Sequence, residues 1–105
     1  MIASLVALTL AASSPAVAHA DAANEAYWSC MFATARSARQ RHVAADRISA
    51  ELDKACQSER AQLRTAFVDV QRERGMSATD AQDSWADLDA RGRNAIERTF
   101  VIPDG

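Results

Sequence analysis

The sequence predicts an all-α protein: an antiparallel helical hairpin stapled by one disulfide, plus a third helix. Three observations carry that prediction. No glycine or proline lies between Pro15 and Gly75, so β-turns lack their usual residues while alanine-rich helix formers run on. Apolar residues recur at spacings of three and four, the helical period. Two cysteines, Cys30 and Cys56, stand where they can meet only if the chain folds back between them.

The 105 residues allow one domain. Hydrophobic residues make up 49% and charged residues 25%, a globular balance too apolar for a disordered chain. The formal net charge of −2 offers no basic field for nucleic acid, so no nucleic-acid partner is expected.

Residues 1–20 read as a secretory signal peptide and residues 21–105 as the mature helical domain. The first 20 positions hold no Asp, Glu, Lys or Arg. An apolar run over residues 2–12 is broken by Ser13-Ser14-Pro15, and Ala16-Val17-Ala18-His19-Ala20 follows. Small side chains at Ala18 and Ala20 form the A-x-A pattern that signal peptidase accepts, with Asp21 as the first mature residue. The run is too short for a bilayer core, which needs roughly 20 helical residues. One departure is the n-region, where only the α-amino group of Met1 is positive. Retention as an anchor stays open beside cleavage. The expected location is outside the cytoplasm, periplasmic or secreted.

In an oxidising compartment, two cysteines in a small domain read first as a disulfide. On one straight helix Cys30 and Cys56 would lie about 39 Å apart, whereas a bridge needs Cα atoms within roughly 7 Å. A turn is therefore required. The midpoint falls in Arg41-His42-Val43-Ala44-Ala45, where Val43 interrupts the helix formers and Asp46 offers a cap. The alternative is an intermolecular bridge on a long helix.

The first helix is expected over about residues 22–40, with Tyr27, Trp28, Met31, Phe32 and Ala35 on its apolar face and Cys30 at the edge. The second is expected over about 46–74, with Ile48, Leu52, Cys56, Leu63, Phe67 and Val70 as its stripe and Gly75 as the left-handed residue that ends it. The third is expected over about 79–98, capped by Ser77 or Thr79, with Ala81, Trp85, Leu88 and Ile96 facing inward. Gly92 weakens its middle. Asp87–Arg91 and Asp89–Arg93 are spaced for i,i+4 pairs. Phe100-Val101-Ile102 is expected to fold back onto the hairpin.

Arg36, Arg39, Arg41 and Arg47, with His42, cluster at the hairpin tip. They are candidates for an anion or membrane-surface site, though a solvated turn partly balanced by Asp46 and Glu51 is the favoured reading. Trp28, Phe100 and Ile102 are candidate interface residues; Tyr27, Trp28 and Phe32, joined by Trp85, are candidates for an aromatic binding surface, though helical spacing favours the core for most of them and leaves Trp28 the hardest to bury. His42 has no Ser, Cys or carboxylate arranged for catalysis. Asp80, Asp83, Asp87 and Asp89 lack calcium-loop spacing and read as helix-start and surface charges. No catalytic residue, metal or cofactor is expected. The sequence thus points to a non-enzymatic exported protein, structural or binding another envelope or extracellular protein. The alternative is attachment to membrane or polymer anions through the arginines. Oligomeric state is not readable from the sequence.

Overall fold

The computed structural model describes residues 14–101. The apolar leader over residues 2–12, Ile102, and the side chains of Phe100 and Val101 lie outside what is described. Helix α1 spans Pro15–Gln40, α2 Ala45–Ala55, α3 Gln57–Glu73 and α4 Ala78–Val101.

Helix α1 begins at Pro15, well before the expected residue 22. The Ser14 Oγ accepts a hydrogen bond from the Val17 N–H at 3.1 Å, and proline occupies the first turn. Ser-Pro, read from sequence as a break, is here a helix start: proline at N1 lacks an N–H that would have had no partner anyway. Ala18, Ala20 and Asp21 therefore lie on helical backbone.

The chain reverses at residues 41–44. The His42 N–H bonds the Arg39 carbonyl at 3.0 Å and the Val43 N–H reaches back to Ala38 at 2.9 Å. This is the Schellman closure, with His42 in the left-handed region at φ 58°. The same pattern ends α3: Gly75 bonds Arg72, Met76 bonds Gln71, and Gly75 has φ 95°. Asp46 lies in the first turn of α2, but the N-cap position is Ala44 and no side chain caps it.

The expected second helix is two. The helix lapses at Cys56, where φ is −112° and ψ is 22°. The Cys56 N–H still bonds Leu52 and the Arg60 N–H still bonds Cys56, so the interruption is one residue deep. It falls on the half-cystine itself and on no helix-breaking residue type, which is why propensity gives no warning of it. Cys30 and Cys56 form the disulfide, with a Cα–Cα distance of 5.9 Å.

Helix α4 starts behind Ser77, whose Oγ accepts from the Asp80 N–H; Thr79 lies inside the first turn. It runs past the expected end at residue 98 to Val101, without splitting at Gly92, and so takes the backbone of Phe100 into its last turn. The contacts Phe67–Trp85, Arg60–Asp89 and Ser49–Arg93 progress in opposite chain directions. Hence α4 is antiparallel to α2 and α3 and parallel to α1. Ala23, Tyr27, Met31, Ala35 and Ala38 of α1 meet Ile48, Leu52, Cys56, Leu63 and Ala66, with Trp85 and Ile96 closing the core from α4.

Candidate functional site

The buried face of α4 is Ala81, Trp85, Asp89 and Ile96, a run at helical spacing that contains a carboxylate. Asp89 is 8% exposed and corrects its reading as a surface charge. Its Oδ1 accepts from the Tyr27 hydroxyl at 3.1 Å, and its Oδ2 accepts from Arg60 Nε at 3.0 Å and from Arg60 Nη2. A buried charge is tolerable only when so paired and hydrogen-bonded. The expected Asp89–Arg93 pair gives way to this arrangement. Arg93 turns instead to α2, where Nη1 lies 2.6 Å from Asp53 and Nη2 donates to the Ser49 carbonyl at 2.9 Å and to its hydroxyl. Arg60 also approaches Asp53 at 3.8 Å. One polar network thus contains side chains from all four helices. The expected Asp87–Arg91 pair forms on the surface at 3.0 Å.

Electrostatics follow from this burial. Loss of water, then the neighbouring Asp89 charge and its hydrogen bond, push the Tyr27 phenol up to about 12. The hydrogen bond to Asp89 likewise raises Arg60, which stays protonated. The network is a structural tie in which each charged group already has a partner. The signal for it was present in the sequence, since Asp89 follows Trp85 by four residues and Ala81 by eight.

Leu88, expected in the core, is 43% exposed. With Asp89 turned inward, its predecessor on α4 is carried to the rim. Leu88 shares a shallow groove with Asn24, Trp28 and Gly92. Trp28 is half-buried over Gly92, and its ring stacks against Phe32 with centroids 5.7 Å apart at 31°. Phe32 is itself 38% exposed. Trp28, Phe32 and Leu88 therefore form a continuous apolar surface along α1 and α4. Trp28 is a candidate interface residue from the sequence; for Phe32 helical spacing favours the core over an aromatic binding surface, and Leu88 is expected in the core. Phe100 and Ile102, the other candidates, fall outside the described side chains.

At the hairpin tip Arg36, Arg39, Arg41 and Arg47 are all exposed. Arg41 pairs with Glu51 at 3.1 Å and donates from Nε to the Ser37 hydroxyl, and Arg39 is also partnered. His42 is placed by its backbone conformation, as the left-handed residue of the turn. Among the described residues no three His, Cys, Asp or Glu side chains stand close enough to hold a metal ion, and no helix is long and apolar enough to cross a membrane. In comparison with known proteins, the chain matches no family model, no curated protein and no solved structure.

Proposed function

We propose that this is an exported, non-enzymatic protein that binds another envelope or extracellular protein through the surface formed by Trp28, Phe32 and Leu88. The observation that carries the reading is that two large apolar side chains stay exposed on either side of a half-buried tryptophan. A small domain gains stability by burying such groups, and a contiguous apolar surface left open is a common mark of an interaction site. Tryptophan is also prominent among residues that dominate binding energy. The buried ionisable groups support a non-catalytic role, because Asp89 already has Tyr27 and Arg60 as partners.

Export is part of the same proposal. The A-x-A pattern at Ala18 and Ala20 fits cleavage before Asp21, and a disulfide suits an oxidising compartment. N-terminal sequencing of protein from the extracytoplasmic fraction should begin at Asp21. Full-length protein confined to the cytosol would overturn this part.

A photo-crosslinking residue at Leu88 or Phe32 should yield one discrete adduct in producing cells, while the same residue at exposed Arg72 yields none. Equal labelling at all three positions would overturn the interface. Attachment through the arginine cluster is tested on anionic vesicles, where binding that disappears as salt rises would favour that alternative.

A further inference from the structure

We propose that the cleft between α3 and α4, lined by Gln57, Arg60, Ala61, Arg64 and Trp85, binds a small organic carboxylate. The spacing of Gln57, Arg60, Ala61 and Arg64 puts all four on one face of α3. Trp85, packed near Phe67 and almost wholly buried, is the apolar residue at the base of the cleft. The cleft encloses about 220 Å³, less than the roughly 300–1,000 Å³ of pockets for drug-sized ligands, so its occupant is small.

Charge selects an anion. Arg60 and Arg64 stand one turn apart, a spacing at which like charges repel. In the network behind the cleft, the guanidinium groups of Arg60 and Arg93 are matched by two carboxylates, Asp53 and Asp89. One positive charge is left over, and Arg64 carries it, making no ion pair among the described residues. Arg60 is anchored from behind by Asp89 yet 40% exposed in its side chain. Its Nε and Nη2 are turned to Asp89 and its Nη1 lies 3.8 Å from Asp53; the N–H donors that point away from these carboxylates remain for a ligand, and a guanidinium already held in place loses little freedom on binding. The flat fork matches a carboxylate, and a single surplus charge suits a monoanion better than a phosphate carrying about −1.5 to −2. Gln57 adds neutral hydrogen-bonding groups at the mouth, and Trp85 favours an apolar or aromatic body behind the carboxylate.

The test uses benzoate at constant ionic strength, with benzyl alcohol, chloride and inorganic phosphate as comparisons. The chain has two tryptophans, so Trp28→Phe leaves Trp85 as the sole tryptophan, read by excitation at the red edge where Tyr27 does not absorb. Amide chemical shifts of the unmodified protein give a second readout at Gln57 and Arg64. Benzoate should produce a saturable change in both, benzyl alcohol and chloride none. Arg64→Gln should weaken benzoate binding at least tenfold, and Arg36→Gln at the hairpin tip should leave it unchanged. No saturable response in the unmodified protein, or equal binding by the Arg64 variant, overturns the site. Phosphate binding as tightly as benzoate overturns the carboxylate class.

Discussion

At the scale of single residues, Asp89 decides most. Tyr27 is the only tyrosine, so absorbance of the phenolate reads the buried network directly. In the folded protein it should rise near pH 12, against 10.0 for an ordinary tyrosine. Below pH 10 the phenol keeps its proton whether the chain is folded or not, and its contribution to stability is intact. Between about 10 and 12 only the unfolded chain ionises there, so stability drains away as pH rises. Asp89→Asn should lower the midpoint toward the ordinary value, because the negative charge that opposes ionisation is gone; a native midpoint already near 10 would contradict the network. His42 is the second decisive residue. A non-glycine residue in the left-handed region costs roughly 1–2 kcal/mol, and part of that returns as lost chain entropy when glycine replaces it. His42→Gly should therefore stabilise by about 0.5–1 kcal/mol in denaturant titration, whereas β-branched His42→Val should destabilise. Sequence located this turn through the cysteine midpoint but could not assign His42 its backbone role. Histidine is not a usual turn residue, and the hydrogen bonds that fix it are backbone bonds.

At the scale of the element, helix faces were more legible than helix starts and breaks, since Ile48, Leu52, Cys56, Leu63, Val70, Ala81, Trp85 and Ile96 all point inward as their spacing requires. Ser77 and Gly75 mark their boundaries by side-chain and backbone chemistry that any sequence shows. Pro15 is ambiguous in the sequence because proline both stops helices and starts them, and only the capping hydrogen bond that Ser14 accepts from Val17 tells which. The lapse at Cys56 has no residue-type signature at all. On α4 the face holds at Ala81, Trp85 and Ile96, and only Leu88 gives way, to the paired carboxylate of Asp89 one position on. Gly92 offers a direct test of α4. A Cβ there would sit 3.6 Å from the nearest atom of the Trp28 ring, an ordinary contact, and glycine inside a helix costs about 1 kcal/mol relative to alanine. Gly92→Ala should accordingly raise stability by about 1 kcal/mol, read as a higher denaturation midpoint. A loss would mean that the Trp28 ring lies closer to α4 than described.

At the scale of the molecule, alanine is the dominant contact residue of α1, with Ala23, Ala35 and Ala38 buried beside Tyr27 and Met31. Close approach is gained, but each alanine removes little apolar surface from water. The Cys30–Cys56 bridge is the covalent complement to that thin core. Closing a loop of this size restricts the unfolded chain by about 3 kcal/mol, so reduction should lower the melting temperature by several degrees or more; an unchanged melt would show the bridge to be dispensable. The all-helical fold and the disulfide were readable from the sequence because both follow from spacing. The apolar surface at Phe32 and Leu88 was not, because exposure depends on how two helices are rotated against each other, which spacing alone leaves undetermined by one position.

Interfaces built from alanine are smooth, and smooth helices can slide or roll past one another at small cost. The Tyr27–Asp89–Arg60 contact removes that freedom, since shifting α4 by one residue would strand a carboxylate without its donors. It acts as a dowel that sets the alignment of α1, α3 and α4. Replacing Tyr27, Arg60 and Asp89 together by Phe, Met and Leu should then leave helicity and average stability close to their starting values. What should disappear is uniqueness, seen as broadened amide resonances and a shallower unfolding transition. A triple variant as sharply folded as the parent would show that the alanine seams hold the alignment by themselves.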